Sequence, residues 1–322
     1  MKNKNRQLML LAACVVAAAF TTFGAPLRRA DVAATPTWLV HVDFDGLRPT
    51  AIGQYIFSEM NKPEAQAKLA AFKAIVSFDL RTQLHAATVY SAGTTPEDGV
   101  LLVYADFDAD RLVTLAKAAN DSQNNTYKQH VIYNWIDDKK KPKHGVKPRV
   151  YAAIDGARVV FGQREERVSQ ALDVLDGVTP NLASSAVFTE LGATNDTSFL
   201  EAAASRFDMA SGDPNAALFR LSKQGLLQLS AAQGQLSGLL SLEAKDEEVA
   251  RNMASIAQGL ISLMKLQQEK PEAVKLAQCL ALKQDGSRVT LSLSMALGDA
   301  VDIMKADAAR KAQKKAEKAA AN

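Results

Sequence analysis

The chain has 322 residues, with 38 Lys and Arg against 35 Asp and Glu, four His and two Cys. A net charge of +3 excludes the strongly basic balance of a nucleic-acid binder and argues for no particular partner. Lys2, Lys4 and Arg6 open the chain without an acid beside them, and the remainder is formally neutral.

Residues 8–20 are thirteen apolar residues without a break, followed by the small or polar Thr21, Thr22, Gly24 and Ala25. A basic start, a short apolar run and a small-residue exit predict a secretory signal peptide over residues 1–24. The run is too short for a bilayer core, which needs roughly 20 residues. Cleavage is placed after Gly24, because a cut after Ala25 would leave Pro26 at the mature N-terminus. Leu11-Ala12-Ala13-Cys14 resembles a bacterial lipobox. Lipidation there would leave only residues 8–13 as the apolar region, so an ordinary leader is preferred. Cleavage leaves Cys279 without a partner for an intramolecular disulfide, so the fold rests on its core. Cys279 lies in an apolar run, 276–282, and reads as a small buried hydrophobe.

Residues 25–37, rich in Ala, Pro and Thr, read as a linker. Residues 38–45 alternate, with Trp38, Val40, Val42 and Phe44 on one face and Leu39, His41, Asp43 and Asp45 on the other; the expectation is a strand whose polar face meets solvent. A helix starts near Pro49-Thr50, and a second apolar-periodic stretch follows Pro63. Strands follow at 84–91 and 100–107, then an acid-led helix over 108–119 that buries Leu112, Leu115 and Ala116. Residues 127–135 read as one strand. A basic loop, 139–145, precedes strands at 150–154 and 158–161 that flank Asp155-Gly156, a strong hairpin signal. A helix over 165–175 stops at Gly177.

The second half repeats this order: strands at 226–232 and 236–242, a helix from Asp246 to Gln268 that buries Val249, Met253, Ile256, Leu260 and Met264, strands flanking Asp285-Gly286, and a final helix from about Asp299. Asp155-Gly156-Ala157-Arg158-Val159 returns as Asp285-Gly286-Ser287-Arg288-Val289, and the strand-to-acid junctions at Asp106 and Glu243 fall into line once the basic loop is discounted. The expected class is α+β, antiparallel sheets with helices packed on one face, built from a duplicated strand-strand-helix-strand-strand-helix unit. The division is 1–24 signal peptide, 25–37 linker, 38–180 first half, 181–304 second half and 305–322 tail. The tail carries Lys305, Arg310, Lys311, Lys314, Lys315 and Lys318 against Asp307 and Glu317. It has no large apolar residue past Met304, so it is expected to be a frayed, solvated extension of the last helix, with contact to an anionic surface as the sharper alternative.

The sharpest chemical motif is His41-Val42-Asp43-Phe44-Asp45-Gly46-Leu47. It resembles the first motif of haloacid-dehalogenase-like phosphatases. That resemblance implies Asp43 as nucleophile and Asp45 as general acid/base beside Mg²⁺. Leu47 stands where the family has Thr, the later Ser/Thr and Lys motifs are missing, and Asp137-Asp138 runs straight into lysines. A second Asp-x-Asp at Asp106 and Asp108 fits a helix N-terminus. His41 and Asp43 share a strand face as a conceivable metal pair, but His41, His85, His130 and His144 have no i, i+4 spacing, and a surface role is expected. The lysines at 139–143 lack interleaved aromatics and read as a solvated loop.

The stretch from Val42 to Thr50 and the Asp246-Glu247-Glu248 helix opening resemble the poorly characterised exported proteins of planctomycetes and verrucomicrobia, which implies export and no assigned role. The expected function is a non-catalytic periplasmic or cell-envelope protein, with a metal-dependent phosphatase on Asp43 and Asp45 as the alternative. No catalytic residue, cofactor or metal ligand is assigned, and no sequence-specific nucleic-acid binding is expected. Mass spectrometry of the mature N-terminus should find Ala25 first; a lipidated Cys14 or a retained Met1 would overturn the leader reading.

Overall fold

A computed structural model describes residues 25–93, 95–142, 145–192, 197–205 and 216–320. The leader with Cys14, Lys143 and His144 of the basic loop, and the last two residues of the tail lie outside the described residues. The fold is α+β. The strands are β1 (Trp38–Asp43), β2 (Leu84–Ser91), β3 (Gly99–Ala105), β4 (Gln123–Tyr127), β5 (His130–Ile136), β6 (Arg149–Asp155), β7 (Arg158–Gly162), β8 (Ser198–Ala204), β9 (Ser222–Ala232), β10 (Gln235–Ala244), β11 (Leu280–Asp285) and β12 (Arg288–Ala296). They form one antiparallel sheet in the order β11-β12-β10-β9-β8-β1-β2-β3-β7-β6-β5-β4. Outward from the central β1–β8 pair, one side runs β2, β3, β7, β6 and the other β9, β10, β12, β11.

Both hairpins form with two-residue loops one residue later than the Asp-Gly reading, Gly156-Ala157 and Gly286-Ser287, because Asp155 pairs with Arg158 and Asp285 with Arg288 as the last residues of their strands. Gly156 and Gly286 have φ of 58° and 56°, a region that side chains disfavour. Ala105 N–H donates to Ala157 O beside the first turn, and Ala244 N–H to Ser287 O beside the second. Arg158 faces Tyr104 and Arg288 faces Glu243. The register counterpart of Glu243 is therefore Tyr104, not Asp106, which lies beyond the end of β3.

The stretch read as one strand over 127–135 is a hairpin, β4 and β5, turning at Lys128 and Gln129. Lys128 takes φ 52° there without glycine. The polar Gln-Asn-Asn-Thr of β4 lies at the sheet edge, mostly exposed, so it has no apolar alternation to announce it. Strand β8 carries no β-branched residue and was not legible either; its place between β1 and β9 makes it a strand, as tertiary context overrides propensity.

The helices are α1 (Phe44–Leu47), α2 (Ala51–Met60), α3 (Pro63–Val76), α4 (Ala109–Ala118), α5 (Glu165–Leu175), α6 (Ala216–Arg220), α7 (Glu247–Lys265), α8 (Pro271–Gln278) and α9 (Leu297–Ala320). Side chains of Thr50, Asp108 and Asp246 accept from the backbone N–H three residues on, which satisfies amides the helix leaves unbonded. Helix α5 covers one face of the first half, packing Val168, Ala171 and Leu172 against Leu39, Leu102, Ile132 and Val160. On the opposite face Met253 of α7 meets Leu242 and Val289, and α2 and α9 close over Leu236 and Met295.

Three expectations change. Residues 25–37 are built into the core rather than linking to it: Leu27 and Val32 are buried beside α5. Helix α7 contacts β10, β11 and β12 at the sheet margin, so only part of its apolar stripe has strand beneath it. Ile256 and Leu260 are 41% and 40% exposed. Cys279 caps α8 and is half-buried. The tail extends the last helix, α9, to Ala320, the extension the sequence led to expect. Arg310 pairs with Glu272 at the start of α8, and with Asp307 at 2.8 Å. Solvent screens exposed pairs of this kind, so they add little to stability. A chain ending at Met304 should therefore melt no more than a few degrees below the full chain; a larger loss in a thermal scan would show that the tail is part of the core.

Candidate functional site

Sequence reasoning singled out β1, and its two faces lie opposite to expectation. Leu39, His41 and Asp43 point into the core, at 0%, 1% and 4% exposure, while Val40 is 37% exposed. Alternation shows that two faces differ but not which is covered, and here α5 and residues 25–32 cover the polar one. The His41 Nε2–H donates to Ala25 O at 3.0 Å and Nδ1 lies 2.9 Å from Thr88 Oγ1. Burial pushes the imidazole below its usual titration range, against the raising effects of the Ala25 carbonyl and Asp43. A neutral ring then accepts the Thr88 hydroxyl proton at Nδ1.

Asp43 is a helix cap. Its Oδ1 accepts from Gly46 N at 2.8 Å. A Cβ on Gly46 would come within 2.7 Å of Asp43 Oδ2, so the Asp-x-Asp-Gly spacing is explained by the turn itself. Asp45 is engaged by Arg48 Nη1 at 2.5 Å and His85 Nδ1 at 2.8 Å, and His85 Nε2 reaches Asp106 Oδ2 at 3.1 Å. Arg48 donates further to the carbonyls of Arg81 and Leu84. This cluster ties α1 to the start of β2 and the end of β3. The two carboxylates lie on opposite ring nitrogens of His85 and do not converge on a common point. No group of three or more His, Cys, Asp or Glu among the described residues is placed to hold a metal.

The outward face of the first half carries an apolar row. Register puts Val40, Val89, Leu101, Phe161, Ala152 and Tyr133 in one row across five strand pairings. Helix α4 stands over the far end of that row and has no buried residue. Leu112, Leu115 and Ala116 are half-buried there, not buried. Between α4 and the sheet lies a cavity of about 280 Å³, lined by those three with Trp135, Ile154 and Phe161 among others. Phe161 also lines a groove of about 540 Å³, floored by Trp38, Val89, Leu101 and Val150. The groove shares Pro96, Lys140 and Gln163 with a third space of about 530 Å³ that adds Lys141 and Arg149. The groove volume is in the range of small-molecule sites, roughly 300–1,000 Å³.

Fold and groove together define an antiparallel α+β protein with an open apolar face on its sheet. No family model matches the chain, and no curated protein matches it in sequence. Solved structures of TP0453, a Treponema protein, are similar in fold. Crystal form III aligns with a TM-score of 0.48 at 9% identity, covering 88% of this chain and 98% of that one. Crystal form I gives 0.44 at 10% identity over 88% and 98%, and crystal form IV 0.44 at 9% over 87% and 97%.

The His85 clamp has a pH signature. Burial disfavours its charged ring, but the hydrogen bonds it donates to Asp45 and Asp106 and their charges outweigh that, and His85 titrates above its ordinary value. A group whose pKa rises on folding contributes stability below its unfolded pKa and loses it as pH climbs through the folded one. The melting-temperature gap between the wild type and His85→Gln should be widest near about pH 5.5 and narrow above about pH 8. A gap that widens with rising pH would show that the ring is held neutral.

Proposed function

We propose that this chain is a non-catalytic exported protein of the periplasm or cell envelope that holds an apolar ligand on the outward face of its sheet. The observation that carries the reading is the row from Val40 to Phe161, apolar and uncovered, with cavities at its end and side. An aqueous protein seldom leaves such a surface without use. The leader pattern supports export, and no helix among the described residues is long and apolar enough to cross a membrane. The phosphatase alternative loses its support in the geometry, since a nucleophile must be reachable and Asp43 is buried as a cap.

The same reading includes duplication. The matched strand order on the two sides of β1–β8 and the matched amide bonds at the Asp-Gly turns support descent of both halves from one unit. The β4–β5 hairpin is then an addition to the first copy, and the uncovered face belongs to that copy.

The neutral fluorophore N-phenyl-1-naphthylamine tests the ligand reading. Its fluorescence should rise saturably with the full chain. Val89→Trp, which fills the groove, should weaken binding by roughly tenfold, while overpacking of about 1–3 kcal/mol leaves a folded protein. Absence of saturable binding, or equal binding by the variant, would sink the proposal.

A further inference from the structure

The three spaces on the outward face form a series of rising polarity. The α4 cavity is walled by aliphatic and aromatic side chains. It meets the groove at Phe161, whose ring borders both. The groove meets the third space at Pro96, Lys140 and Gln163. That space is a vestibule bordered by Lys140, Lys141, Arg149 and Glu97, with Pro142 and Pro148. Arg149 is committed elsewhere, to Asp121 at 2.6 Å and Asn134 at 2.7 Å. Lys140 Nζ donates to the amide oxygen of Gln163 at 2.8 Å, a neutral partner that leaves its charge uncompensated by that bond. Lys140 therefore stands where the apolar floor ends, bordering both the groove and the vestibule, a position that suits a side chain with an apolar stem and a charged end.

We infer that the ligand is a single-chain amphiphile with an anionic head, a long-chain carboxylate, bound with its head at Lys140 and Lys141 and its tail running along Val89 and Leu101 past Phe161 toward the α4 cavity. This rests on the apolar-ligand reading and adds the head-group chemistry. Charge complementarity selects the occupant. Two ammonium groups at one end of an apolar channel discriminate between a carboxylate and an alcohol on the same chain, and an apolar floor alone does not. The basic loop, unreadable as a nucleic-acid site for want of aromatics, thereby has a use beside the aromatics that the sheet supplies, Trp38 and Phe161. Phe161, bordering both spaces, sets how far the tail reaches.

Displacement of N-phenyl-1-naphthylamine from the full chain by oleate, oleyl alcohol and inorganic phosphate tests this. Oleate should compete at least roughly tenfold better than oleyl alcohol, the size of one lost charge-assisted contact. The Lys140→Gln, Lys141→Gln double variant should lose that preference while keeping its affinity for the alcohol and its circular dichroism. Salt should shrink the preference in the wild type. Equal competition by oleate and oleyl alcohol, or an unchanged preference in the double variant, would overturn the head-group assignment and leave the apolar site standing. Failure of the fluorophore to bind would instead remove the underlying site. Displacement by inorganic phosphate alone, or by phosphatidylglycerol vesicles but not by oleate, would overturn the single-chain carboxylate in favour of a free anion or a membrane surface.

Discussion

His41, Glu201 and Arg29 are polar groups in the middle of the molecule, and residues 25–32 supply much of what satisfies them. His41 bonds the carbonyl of Ala25. Glu201, opposite it on β8, accepts from the Gly192 amide at 2.9 Å and from Gln228 at 3.2 Å. Arg29 donates to backbone carbonyls of Leu182, Ser185, Val187, Phe188 and Leu191 and is drawn electrostatically to Glu201. Asp31 takes the Tyr104 hydroxyl and Arg158, each at 2.9 Å. Leaving one such group unpaired costs about 1–3 kcal/mol, more when it is charged. No buried side-chain nitrogen or oxygen among the described residues lacks a partner. The N-terminal segment thus acts as an inserted piece of core. Arg29 also fixes the loop after α5 through the five carbonyls it bonds there.

That arrangement decides what faces outward. A strand has two sides, and committing the polar side of β1 to the core leaves Trp38, Val40 and Val42 on the other. Their neighbours across the sheet, Val89, Leu101 and Phe161, follow by register. In the second half α7 and α9 cover the same face. In the first half α4 lies above it without burying a side chain, and the row nearest β1 is left open. The uncovered floor is therefore tied to the inverted strand: a slip of one residue would turn the valines inward and expose His41 and Asp43.

Local signals were legible where a single residue enforces a conformation. Gly156 and Gly286 marked their turns because positive φ is costly elsewhere, and Asp108 and Asp246 marked helix starts because their side chains bond the first amides. Strands β4 and β8 were not legible, one being a polar edge and the other an alanine-rich strand held by its neighbours. The His41/Asp43 face was misread because what buries it is distant in sequence, an apparent linker and a helix more than a hundred residues on. The candidate site was almost invisible for a related reason. Val89, Leu101 and Phe161 carry no motif, and only register sets them in a row. Lys140 was visible as charge, but its place at the mouth of a groove depends on β5 and β6 bringing the loop back beside Gln163.

The two hairpin turns show how one local geometry serves two ends. At the first, Arg158 faces Tyr104 and reaches Asp31 and Asp155, so the inward face closes over the N-terminal segment. At the second, Arg288 faces Glu243 and meets it at 3.4 Å, with Glu190 at 3.6 Å. The inward face there carries Gln228, Ser241 and Thr290 around a space of only about 110 Å³, polar enough to meet water without cover. The halves have thus exchanged surfaces. The first buries its inward face and leaves its outward face open, and the second covers its outward face and leaves its inward face polar. Across one continuous sheet this needs no break in pairing, because β1 and β8 both present their polar members, His41 and Glu201, to the same inserted segment. A ligand site on the outward face is then confined to the first half by where the helices lie: apolar side chains line that face on both sides, but only the first half leaves the row nearest β1 without a helix packed down upon it.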